Sequence, residues 1–110
     1  MRTSYTFFLI ALTGLASLSA LAVTEAQWDA IRNLGRLNGI ALHCEYLGET
    51  RRMKQALVEA LPKRRELGLA FDEVTNDSFV RFIDEGLGCP PSADFSNRVD
   101  IAIKALKAAF

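Results

Sequence analysis

The hydrophobic positions of the chain fall into helical stripes whose phase changes mark the ends of several short helices. Trp28, Ile31, Leu34, Leu37, Ala41 and Cys44 recur three or four residues apart behind Thr24-Glu25-Ala26-Gln27. That quartet holds the hydroxyl and the amide of a capping box, so a helix should open there. The spacing carries it to about Leu47, with Gly48 as the stop. At about 100° per residue, the stripe of Met53, Ala56, Leu57 and Ala60 is rotated by roughly 150° from the first. One straight helix could not bury both, which predicts a second helix from about Thr50 to Leu61.

Pro62 disfavours helix at the residue before it and suits the first turn of a third helix, where its missing N–H costs nothing. That helix would carry Leu67, Ala70, Phe71 and Val74. A single helix kinked at Pro62 is the alternative, but it brings Arg64 onto the apolar face. Thr75-Asn76-Asp77 offers further cap residues, and Phe79, Phe82 and Ile83 lie on a rotated stripe beyond it. The pattern predicts a kink or a fresh helix there, ending at Gly86 or Gly88. Cys89-Pro90-Pro91-Ser92 reads as a rigid connector with Ser92 as the next N-cap. Phe95, Val99, Ala102, Ile103, Leu106 and Phe110 then form one narrow stripe. No segment alternates with strand period. The predicted fold is all-α, a small bundle of four or five short helices.

Ahead of Thr24 the pattern differs in kind. Arg2 precedes an almost unbroken apolar run from Phe7 to Leu18, and Ala20-Leu21-Ala22 gives a signal peptidase its small-x-small site. Residues 1–22 are therefore expected to be a signal peptide cleaved before Val23, leaving 23–110 as a single helical domain. The run is shorter than the ~20 apolar residues of a membrane span, and no second run follows. A periplasmic or secreted protein with no stable membrane anchor after cleavage is expected.

Export changes the meaning of Cys44 and Cys89, the only cysteines. In an oxidising compartment such a pair is most simply a disulfide, with two free thiols or a thiol nucleophile as the alternatives. Closing about 45 residues would stabilise the fold by roughly 4 kcal/mol on loop-entropy grounds. That is comparable to the whole stability of a small domain.

Charge matters by its placement. Of the 13 basic residues only Arg2 lies in the leader, so the rest nearly balance 13 acids, and a dedicated nucleic-acid binder is not expected. Arg51, Arg52, Lys54, Lys63, Arg64 and Arg65 crowd one stretch, whereas from Glu66 to Asp94 seven acids face Arg81 alone. Arg51 and Arg52 fall where the second helix is predicted to begin, and Lys63, Arg64 and Arg65 where the third does. Those are the ends whose dipole disfavours cations. Either these cations pair with Glu66, Asp72, Asp84 or Glu85 of the acidic half, or they form a surface for an anionic partner, expected to be another protein.

Catalytic patterns are sparse. Gly35 and Gly39 form a G-x-x-x-G spacing that costs about 1 kcal/mol per glycine in a helix, so close packing of another helix is expected to offset it. A helix-packing seam within the chain is the first reading, and a homodimer contact or a bend the alternative. His43, the only histidine, points about 100° away from Cys44 on a helix, so the two do not make a nucleophile pair. Gly39, Ile40, Tyr46 and Leu47 lie a turn away from it, and none is a strong metal ligand. No Glu-x-x-His pair occurs, and Asp72, Glu73 and Asp77 lack the ligand spacing of a calcium loop. No cofactor, metal or catalytic residue is expected.

The order Cys44-x-Tyr46-x-Gly48, followed by Cys89-Pro90 and a terminal amphipathic helix, loosely resembles the small periplasmic immunity proteins of the type VI secretion system. Where those carry a glycine before the tyrosine, this chain has Glu45. The resemblance covers a handful of residues. It implies an exported, helical, disulfide-bonded inhibitor that plugs a secreted toxin or hydrolase. The residues by themselves point to a non-catalytic exported binding or adaptor protein, with the immunity-type inhibitor as one alternative and a small hydrolase as another.

Overall fold

A computed structural model describes residues 22–110 as an all-α bundle of four helices: α1 (Glu25–His43), α2 (Leu47–Ala60), α3 (Arg65–Asp84) and α4 (Ser92–Ala109). The apolar run and most of the expected cleavage signal lie outside the described residues. The capping box at Thr24 is formed in both directions: the Gln27 N–H donates to Thr24 Oγ1 at 3.1 Å, and the Thr24 N–H donates to Gln27 Oε1 at 2.9 Å. The same Gln27 donates from Nε2 to the Ala109 carbonyl at 3.0 Å, tying the start of α1 to the end of α4.

Helix α1 is the hub. It packs against α2, α3 and α4, and α2 packs in turn on α4, whereas α3 and α4 share no extended interface. Ile31 and Leu34 of α1, Met53 of α2, Leu67 of α3, and Phe95 and Leu106 of α4 are fully enclosed at the centre. The stripes read from the sequence in α1, α2 and α4 supply that core. Burying such side chains contributes about 1.5–3 kcal/mol each.

Three helix boundaries differ from the sequence reading. The break after α1 comes at Cys44–Tyr46 rather than at Gly48, which lies inside α2. Glu45 adopts a left-handed φ of 60°, letting the Tyr46 N–H reach the Ala41 carbonyl (2.8 Å) and the Glu45 N–H the Leu42 carbonyl (3.3 Å). This is a Schellman end built on a glutamate. The end of α3 repeats it with the expected residue: Gly86 has φ 61°, and the Leu87 N–H bonds to the Phe82 carbonyl.

Pro62 lies in the connector and not in the first turn of α3, which begins at Arg65 with Arg64 as its N-cap. Ser92 is the first residue of α4, and Pro91 occupies the cap position that the sequence assigned to the serine.

The fourth difference concerns continuity. Helix α3 runs without interruption through Thr75, Asn76 and Asp77. Its inward stripe is Leu67, Phe71, Thr75 and Phe82, with Ser78 half-buried between the last two. Two hydroxyl residues hold inward positions, so the apolar residues alone gave a false rotation toward Phe79 and Ile83. Ile83 is in fact exposed.

Candidate functional site

The turn after α1 and the connector after α3 are stitched together. Cys44 and Cys89 form a disulfide with their Cα atoms 5.8 Å apart. One turn of chain away, the Tyr46 hydroxyl donates to the Pro90 carbonyl at 2.6 Å, and the Tyr46 ring packs at 5.5 Å from that of Phe95. His43 is half-buried beside this corner, its ring 5.8 Å from Phe79 and 4.9 Å from Phe82. These aromatic neighbours make it a packing residue at the edge of the bundle.

Gly35 and Gly39 both face α3. A Cβ on Gly35 would lie 3.0 Å from the Phe71 carbonyl oxygen and from Val74 Cβ. At Gly39 the approach is closer, 2.7 Å to the Thr75 carbonyl oxygen and 2.6 Å to Ser78 Cβ. Beside this contact Asn38, 1% exposed, donates from Nδ2 to Thr75 Oγ1 at 3.3 Å, and Ser78 donates to the Arg36 carbonyl at 2.7 Å. The glycines are thus covered by the protein's own helix and offer no surface to a second copy.

The basic stretch divides into two kinds of cation. Arg52 reaches over to α4: Nη1 donates to Asp100 at 2.6 Å, Nη2 and Nε donate to Glu49, and Nη2 reaches the Ser96 carbonyl. The bond to Asp100 first, then that to Glu49, raises the guanidinium pKa further above its ordinary value. Arg64 pairs with Glu66 at 2.7 Å. The Glu66 carboxyl is held below the usual carboxylate range by its own backbone N–H at the start of α3, and then by Arg64. Of the partners anticipated in the acidic half, Glu66 is engaged, by Arg64.

Arg51, Lys54, Lys63 and Arg65 are exposed, with no carboxylate at ion-pair distance among the described residues. Because α2 begins at Leu47, Arg51 and Arg52 sit in its second turn, beyond the strongest reach of the helix dipole. The acids nearest in sequence are already engaged: Glu49 by Arg52, Glu66 by Arg64, and Glu59 by Lys107 at 3.5 Å. Arg51, Lys54 and Val58 follow one another at helical spacing, and Val58 is 83% exposed.

On the opposite side of α1, the gap between α3 and α4 forms a cleft of about 400 Å³. Leu37, Ile40 and Phe82 lie in it, and Arg36 of α1, Arg81 of α3 and Arg98 of α4 converge on it, together with Asp77 and Glu85. Sequence reading missed this group. The arginines stand on three different helices, and the only local sign was Arg81 alone among acids.

No known protein family, no curated protein and no solved structure matches this chain. What the structure defines is a disulfide-closed, all-helical bundle with a clustered cationic surface on α2 and the turn that follows it.

Proposed function

We propose that the protein is a small, exported, non-catalytic binding protein that docks an acidic partner protein on α2 and the α2–α3 turn. One observation carries the reading: the acids of this stretch are used up by Arg52, Arg64 and Lys107, leaving Arg51, Lys54, Lys63 and Arg65 uncompensated. Val58 supplies an apolar contact among them. A one-signed patch of this kind steers a complementary partner and raises its association rate more than its final affinity. The disulfide suits an oxidising compartment, where a small bundle gains most from a covalent closure.

The test compares capture from periplasmic extract by the oxidised 23–110 protein and by a double reversal, Arg51→Glu with Arg65→Glu. A partner retained by the first and lost by the second is expected. With that partner purified, the reversal should slow association about tenfold or more at low salt and flatten its salt dependence. The same proteins retained by both, or a partner whose association ignores salt, would overturn the proposal.

A further inference from the structure

We infer that the cleft between α3 and α4 is a binding site for a small single-chain amphiphile with an anionic head. The cleft exists because α3 and α4 share no extended interface, which leaves a gap between them over a floor of buried Leu37 and half-buried Ile40 of α1. Its volume, about 400 Å³, falls in the ~300–1,000 Å³ range of small-molecule sites. Leu37, Ile40 and Phe82 give it an apolar floor, and Leu87 comes in from the connector that the disulfide holds at Cys89.

Three arginines from three helices line this cleft, and none is in an ion pair among the described residues. Among the described residues the Arg36 guanidinium hydrogen-bonds only to the amide oxygen of Asn33, at 3.4 Å, and that of Arg98 lies 5.9 Å from the Phe95 ring. Arg81 stands one helical turn from both Asp77 and Glu85, yet neither carboxylate is within ion-pair distance of any cleft arginine. Had those pairs formed, they would be weak surface helix pairs. A carboxylate or phosphate head meeting two or three donors at once outcompetes them, because charge-assisted hydrogen bonds to arginine are the strong ones. An apolar tail then covers the floor.

A peptide is the poorer fit. The cleft walls are helices whose backbone hydrogen bonds are internal, so nothing there pairs with an extended chain.

The probes are decanoate, decanol, inorganic phosphate and a hydrophobic pentapeptide with a free carboxylate. Each is titrated into the oxidised 23–110 protein and followed by calorimetry and by backbone amide shifts. Decanoate should bind one to one, with shifts confined to the residues around Ile40, Arg81 and Arg98. Decanol and phosphate should each bind at least tenfold more weakly. Arg81→Gln and Arg98→Gln should each weaken decanoate about tenfold or more, the factor expected for one charge-assisted bond. Both should keep the wild-type melting temperature, and Lys104→Gln, outside the cleft, should bind as wild type. Decanoate and decanol binding equally, phosphate matching decanoate, tighter binding of the peptide, shifts elsewhere, or no saturation at millimolar decanoate would each overturn the inference.

Discussion

Replacing Gly39 by alanine tests the tightest contact in the bundle. The added Cβ would stand 2.7 Å from the Thr75 carbonyl oxygen, and 2.6 and 2.7 Å from the Cβ and Oγ of Ser78. The serine hydroxyl could rotate, but the Thr75 oxygen and Ser78 Cβ are fixed to the α3 backbone. Helix α3 must therefore retreat from α1 by something on the order of an ångström. That retreat stretches the 3.3 Å bond from Asn38 to Thr75 and the 2.7 Å bond from Ser78 to the Arg36 carbonyl. Overpacking costs about 1–3 kcal/mol, and weakening a buried hydrogen bond such as that of Asn38 adds about 1 kcal/mol. Alanine returns about 1 kcal/mol of helix propensity.

The net expectation is a loss of about 1–3 kcal/mol, or roughly 5–20 °C in a domain of this size. Gly68→Ala is the internal control, because a Cβ there meets nothing within 4 Å. It should gain up to about 1 kcal/mol from propensity alone. Gly35→Ala, with its nearest contacts at 3.0 Å, should fall between the two. Urea denaturation of the oxidised proteins, followed by far-ultraviolet circular dichroism, gives all three values. A Gly39→Ala protein as stable as wild type, or a Gly68→Ala protein less stable than Gly39→Ala, would refute the close approach of α1 and α3.

Replacing both cysteines with serine opens a loop spanning a sequence separation of 45 and should cost about 4 kcal/mol, read as a lower urea midpoint for the variant than for the oxidised protein. Tyr46→Phe removes the hydroxyl that holds Pro90 and should cost about 1 kcal/mol in the same assay. Arg52→Ala breaks contacts with Asp100 and Glu49, but its side chain is 41% exposed, so solvent screening limits the loss to about 1 kcal/mol, and the loss should shrink in high salt. By contrast, Arg51→Glu with Arg65→Glu should move the melting temperature by no more than a degree or two, because neither side chain has an ion pair to lose.

The sequence by itself determined whatever depends on local periodicity and local chemistry. The stripes of α1, α2 and α4 are apolar at the positions that face inward, so their burial was legible before any helix was placed. The capping box at Thr24 needs only residues three apart, and the glycine at 86 marks a left-handed helix end by its own conformational freedom. Two cysteines leave one intramolecular pairing.

What only the tertiary structure decided are matters in which a distant residue sets the meaning of a near one. Thr75 and Ser78 are inward because Gly39 and Asn38 give their hydroxyls room and a partner, which no pattern of apolar residues in α3 encodes. Glu45 rather than Gly48 takes the left-handed turn after α1, where the chain is stitched by Cys44 and Tyr46 to the Cys89–Pro90 connector. The six clustered cations looked equivalent along the chain, yet Asp100 on the neighbouring α4 engages Arg52 while Arg51 stays in solvent. Arg36, Arg81 and Arg98 share a cleft because α3 and α4 each pack on α1 and share no extended interface with one another. Ion pairing and clefts depend on which side chains meet in space, and in this bundle the meeting is arranged by a glycine seam and a disulfide between residues 45 positions apart.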